Sequence, residues 1–116
     1  MAGVPRMTLQ VQLVARALLE AGEAESYGLQ LCAVTGLPSG TVYPIIARLE
    51  QAGWLDSWWE DPVRHTAEGR PRRRYYRLSQ DGAETARLAL ARSYRSRSGA
   101  VPGWGVAIPG GSGASS

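Results

Sequence analysis

The sequence predicts a mainly α fold with one small β-hairpin: a winged helix-turn-helix with a dimerisation helix at each end. Three observations predict it. Stretches with helical apolar spacing recur at 8–21, 27–34, 39–51 and from 80 onward. One aromatic-rich, roughly alternating pair of segments, 54–60 and 72–79, separates the third stretch from the fourth. The second and third stretches are joined only by Thr35-Gly36-Leu37-Pro38, a turn of helix-turn-helix length.

Residues 8–21, TLQVQLVARALLEA, contain no Gly or Pro and are rich in good helix formers. Leu9, Leu13 and Ala17 form one stripe, which Val14, Leu18 and Ala21 widen; Val11, Ala15 and Leu19 place apolar groups elsewhere. That is more apolar surface than a half-solvated helix needs. The helix is therefore expected to touch both its own core and a partner subunit, with Leu9 and Leu13 in the dimer interface. Gly22 ends it, and Glu23 to Glu25 form a short acidic linker. Ser26 is the expected N-cap of a second helix over 27–34, in which Cys32 reads as a small core hydrophobe.

The stretch LPSGTVYPIIARLEQAGWL, residues 37–55, organises the rest. Ser39 is the expected N-cap of its helix. Val42, Ile45, Ile46 and Leu49 share one face; Gly40, Tyr43, Pro44, Ala47, Arg48 and Gln51 share the other. Gly53 supplies the left-handed residue that commonly ends a helix. Pro44 admits two readings. Either the helix starts at Ser39 and Pro44 forces a kink or a tight first turn, or it starts at Thr41 and Pro44 sits unstrained in the first turn. The exposed face is small at its start and basic one turn later, as suits a recognition helix approaching an anion with its N-terminal end.

Trp54 to Glu60 and Arg72 to Ser79 read as paired strands, with Leu55, Tyr76 and Leu78 facing the core and Tyr75 and Arg77 facing away. Asp61 to Pro71, containing Pro62, Gly69 and Pro71, reads as the loop at the hairpin tip. Such a hairpin after a helix-turn-helix makes a wing. Ser79 is the expected cap of a last helix over 80–97, and Asp81 and Glu84 suit its positive end. Ala83, Ala86, Leu90 and Tyr94 form a narrow stripe along it. Packing on the first helix of the same chain would cover that stripe; a contact between subunits through Leu90 and Tyr94 is the favoured reading. From Ser98 the chain turns rich in Gly, Pro, Ser and Ala, the composition of a disordered tail, with Trp104 and Ile108 as its few docking residues. The expected division is thus 7–79, 80–97 and 98–116.

A chain of 116 residues suits one small domain, whose core is marginal enough that oligomerisation is a common remedy. No apolar run reaches the roughly 18 residues of a membrane span. The start, MAGVPRMTLQ, lacks a signal-peptide apolar region, so a cytoplasmic protein without membrane contact is expected. One cysteine excludes an internal disulfide and a cysteine-cluster metal site. His65, the single histidine, leaves little for metal binding or a triad, and no nucleophile–base pair or phosphate loop is present. No enzyme activity, metal or cofactor is expected. The net charge of +3 is modest, but all 13 basic residues are Arg, and six of them (Arg64, Arg70, Arg72, Arg73, Arg74, Arg77) lie between positions 64 and 77. Such a cluster fits an acidic polymer; the alternative is a solvated charged strand.

The Tyr27-Gly28 pair, the Gly40-Thr41-Val42-Tyr43-Pro44 segment with Arg48-Leu49-Glu50 and Gly53 after it, and Gly69…Arg73-Arg74-Tyr75-Tyr76-Arg77-Leu78-Ser79…Gly82 together resemble the PadR-like transcriptional regulators. The resemblance covers about residues 7 to 95. It implies a homodimeric winged-helix repressor that binds double-stranded DNA at an approximately palindromic operator, with the terminal helices building the dimer. The single C-terminal helix resembles the short branch of the family. The inserted wing, Pro62 to Pro71, and the Gly-rich tail depart from the usual pattern.

On this reading Ser39, Gly40, Thr41 and Tyr43, with Pro44 beside them, enter the major groove first. Hydroxyls there bond phosphates or base edges, and the Thr41 methyl can pack on a thymine methyl. Arg48 reaches a phosphate or a guanine edge, with phosphate favoured. Arg70, Arg72 and Arg73 are the wing candidates for phosphate or minor-groove contact, while Arg74 is expected over an aromatic ring. Trp54, Trp58 and Trp59 read as core or wing-face packing. The resemblance adds an alternative, an aromatic-lined pocket at the dimer interface for a planar small-molecule effector, which would make the protein a sensor. A winged-helix protein-interaction module without DNA binding is the remaining alternative.

Overall fold

Eight elements follow one another along the chain: α1 (Leu9–Ala21), β1 (Ser26–Tyr27), α2 (Gly28–Thr35), α3 (Ser39–Gln51), β2 (Leu55–Trp59), α4 (Pro62–Ala67), β3 (Arg74–Leu78) and α5 (Gln80–Ala100). The computed structural model describes residues 4–100, with side chains to Arg95. The three strands form an antiparallel sheet in the order β1-β3-β2. The chain is a mainly helical winged-helix fold.

The Thr8 hydroxyl caps α1 by accepting from the Val11 amide at 3.2 Å, and Gly22 ends it at φ +62°. Its core face runs through Val11, Val14, Ala15 and Leu18. Leu9, 58% exposed, and Leu13, 37%, lie outside this core face, while Ala17 of their stripe is buried. Apolar residues surround this helix on three sides, so its periodicity fits more than one stripe, and the neighbouring α2, α3 and α5 select the one that is buried.

Ser26 is not a helix cap. It pairs with Tyr76 in β1, a third strand that the two-stranded expectation lacked, and Tyr27 pairs with Tyr75. Tyr27 is instead the residue before α2, its amide donating to Gln30 Oε1 at 3.3 Å. Gly36 ends α2 in the left-handed conformation, and the axes of α2 and α3 then turn by 116°. No single described helix is long and apolar enough to cross a membrane.

The α3 helix starts at Ser39, with Pro38 in the N-cap position, so Ser39 is the first helical residue and not the expected cap. Pro38 fits there because its fixed φ of −72° suits extended backbone. The Pro38 carbonyl accepts from both Thr41 and Val42, at 2.9 and 3.0 Å. That shared acceptor is the tight first turn that an early start requires with Pro44 inside the helix. At the other end Gly53 adopts φ +81°, its amide donates to Glu50 O, and the Trp54 amide donates to Leu49 O. This pair of bonds satisfies the last carbonyls of the helix. Val42, Ile45, Ile46 and Leu49 are all buried, as their spacing predicts.

Leu55, Tyr76 and Leu78 face the core, also as predicted. The segment between the strands is not a plain loop: α4 occupies Pro62–Ala67. Asp61 Oδ1 accepts from the Val63 amide at 2.9 Å, and Pro62 opens the helix where a missing N–H costs nothing. The α5 helix is capped as expected, Ser79 Oγ accepting from the Gly82 amide at 2.9 Å. A β-carbon at Gly82 would strike the Trp54 carbonyl, so glycine lets α5 approach the connection from α3 to β2. Ala86 and Ala89 are buried, and α5 packs on α1 of the same chain. Leu90 is half-buried and Tyr94 is exposed. The helix reaches Ala100, past the expected end at residue 97. Of the tail expected over 98–116, the first three residues belong to α5, and the rest, with Trp104 and Ile108, lies outside the described residues.

Candidate nucleic-acid interface

Burial of Val42, Ile45, Ile46 and Leu49 rotates the opposite face of α3 outward. Ser39, Gly40, Tyr43, Pro44 and Arg48 are exposed and Thr41 is half-buried. No carboxylate occurs from Ser39 to Arg48. The Tyr43 ring lies back over the start of α2, so close that a β-carbon at Gly28 would collide with it. Tyr27, Tyr43, Trp59 and the wing residues Arg70 to Arg74 line a groove of about 840 Å³ between α2, α3 and β3.

The wing is held by a buried carboxylate that the sequence reading missed. Glu60 is 1% exposed. Its Oε1 and Oε2 accept from Arg70 Nη1 and Nη2 at 2.7 and 2.6 Å, and Oε1 also accepts from the Arg73 amide at 3.2 Å. Tyr75 OH donates to Oε2 at 3.2 Å. The Arg70 hydrogen bonds, helped by the Arg73 amide and Tyr75, overcome the effect of burial and hold the Glu60 carboxyl at about 2. Arg70 Nε donates to Glu68 at 2.6 Å as well. Its three nitrogens thus all have partners within the wing, so Arg70 offers a phosphate fewer free donors than Arg73 does. The signal available in the sequence was an acid just after an aromatic strand, ten residues before a basic run.

The other wing arginines sort by strand face. Arg72 and Arg74 lie over the Trp59 ring, at 5.7 and 5.2 Å from its centroid, so Arg74 meets its aromatic expectation. Arg74 Nη2 also donates to Ser57 Oγ at 2.7 Å and lies 3.8 Å from Glu50. Arg73 projects to the opposite face, 4.0 Å from the Tyr27 centroid. That face also carries Tyr75, which points away from the main core as predicted yet is only 3% exposed. Tyr27, Trp58, Glu60 and Arg64 enclose it. Among the described residues Arg48, Arg72 and Arg73 have no carboxylate at ion-pair distance. These three remain as candidate phosphate ligands, flanking the open face of α3. Among the described residues the three tryptophans do not converge: Trp54 is core, Trp58 packs on Tyr75, and Trp59 is 53% exposed.

The family model described as the transcriptional regulator PadR-like family matches residues 17–88. The chain belongs to this family. The matched segment takes in α2, α3, the wing and the first part of α5. Solved structures share the fold. A PadR family transcription regulator from Clostridium difficile matches with a TM-score of 0.60 at 19% identity, over 81% of this chain and 96% of that one. A PadR-like transcriptional regulator from Bacillus cereus matches at 0.56 and 20% identity, over 83% and 93%. The circadian clock associated protein Pex from Anabaena matches at 0.55 and 25% identity, over 76% and 78%. No curated protein sequence matches the chain. The chain is therefore a transcriptional regulator of the PadR-like family, and that family is one of regulators, not enzymes.

Proposed function

We propose that this PadR-like regulator is a sequence-specific DNA-binding repressor that acts in the cytoplasm as a homodimer on an approximately palindromic operator. One observation carries the reading. The exposed face of α3, free of carboxylates from Ser39 to Arg48, stands beside a wing whose Arg72 and Arg73 have no ionic partner among the described residues. A duplex supplies the missing anions on both sides of a groove that α3 enters. Thr41, Tyr43 and Arg48 then read or position, and Arg72 and Arg73 neutralise flanking phosphates.

In the proposed dimer, residues 7–79 form the DNA-binding part and α5 joins α1 in the seam. Leu9, Leu13 and Tyr94 are exposed and Leu90 is half-buried, although α5 already packs on α1 of its own chain. The seam is thus built on a helix pair formed within each chain. Selection of bound duplexes from a random DNA pool tests the reading. It should enrich an inverted repeat whose half-sites lie about 34–36 Å apart or a multiple of that. Failure to enrich any duplex would contradict it and favour a protein-interaction module.

A further inference from the structure

Of the glycines between residues 4 and 95, Gly40 has no reason within the chain to be glycine. Gly22, Gly36, Gly53 and Gly69 lie at positive φ, and β-carbons at Gly28 and Gly82 would strike Tyr43 and Trp54. Gly40 has helical backbone, and a β-carbon there would meet nothing within 4 Å. Alanine is the better helix former, so the fold alone favours a side chain at this position. Gly40 also lies in a shallow depression between the start of α1 and α3, rimmed by Thr8, Gln10, Thr41 and Arg48. The lining holds a cation and hydrogen-bonding groups and no carboxylate.

We infer that Gly40 is the point of closest approach between α3 and DNA, where the helix backbone itself meets the duplex. The empty space is where a base edge would lie. The missing β-carbon then sets how deeply α3 enters the groove, and so whether Thr41 and Arg48 reach their partners. Gly40 is a specificity-determining residue that donates no side-chain contact. The inference rests on the DNA-binding reading above and adds to it the role of this one position.

The test compares the full-length wild type with Gly40→Ala and Gly40→Leu. Fluorescence anisotropy measures binding to the operator selected from the random pool and to an unrelated duplex, and urea unfolding measures stability. The alanine variant should unfold at the same or a higher urea concentration than the wild type. It should lose at least about tenfold in operator affinity and change by less than about twofold on the unrelated duplex, where binding is electrostatic. The leucine variant should lose more operator affinity. Wild-type operator affinity in Gly40→Ala would overturn the inference while leaving the DNA-binding reading intact. A parallel loss on both duplexes, or a lowered unfolding midpoint, would also overturn it. A wild-type protein that binds neither duplex would overturn both.

Discussion

Arg70 and Glu60 face each other through two parallel hydrogen bonds of 2.7 and 2.6 Å, with the Glu60 side chain fully buried. A carboxylate so placed is stabilised only while its partners remain, because burial alone favours its neutral form. Removing Arg70 leaves an unpaired buried charge; removing Glu60 releases Arg70, the Arg73 amide and the Tyr75 hydroxyl together. Arg70→Ala and Glu60→Ala should each lower the urea midpoint clearly, and the double variant should lose less than the sum. Simple additivity would mean that the pair does not act as a unit.

The same pair sets an acid limit. Glu60 is held at about 2, below its ordinary 4.5, chiefly by the Arg70 hydrogen bonds. A lowered folded-state value means that the stabilisation is complete above pH 4.5 and is lost as pH falls from there through 2. Urea midpoints at pH 6, 4.5 and 3 should therefore fall more steeply for the wild type than for Glu60→Gln. Equal slopes would show that Glu60 titrates normally.

Gly28 and Tyr43 are coupled by contact. A β-carbon at position 28 must displace the end of the Tyr43 ring, which is 44% exposed and can swing aside, so Gly28→Ala should cost less than about 1 kcal/mol. In the Tyr43→Ala background Gly28→Ala should cost less than it does in the wild type. A double-mutant cycle with no coupling would show that the ring moves freely.

How far the sequence disclosed this molecule depended on how many arrangements each pattern allowed. The face of α3 was legible because Val42, Ile45, Ile46 and Leu49 form its one coherent apolar stripe. The face of α1 was not, because Leu9 and Leu13 compete with Val11 and Val14 for burial. The α4 helix was hidden because Asp61-Pro62 signals a turn as readily as a helix start. Within the arginine run, identical side chains were distinguished only by the tertiary partner. Arg70 meets Glu60 ten residues earlier, while Arg72, over Trp59, and Arg73, over Tyr27, lie just before β3 and pair with no carboxylate among the described residues. Residue type and local spacing do not encode that sorting.

The exposed apolar residues on α1 and α5 carry the dimer proposal. Leu13 and Tyr94 lie outside the core, so Leu13→Asp with Tyr94→Ala should leave the fold intact. Light scattering should then report a monomer, with unchanged helical circular dichroism. A variant that remains dimeric would remove these residues from the seam.

The salt dependence of duplex binding tests the central claim most directly. For the wild type, log K should fall linearly with log[salt], because arginines that neutralise phosphates release counterions. Replacing Arg48, Arg72 and Arg73 together by alanine should reduce that slope by about 3, while Arg70→Ala, already engaged by Glu60, should leave the slope of any residual binding nearly unchanged. A wild type that ignores every duplex at low salt, or a triple variant with the wild-type slope, would contradict the account.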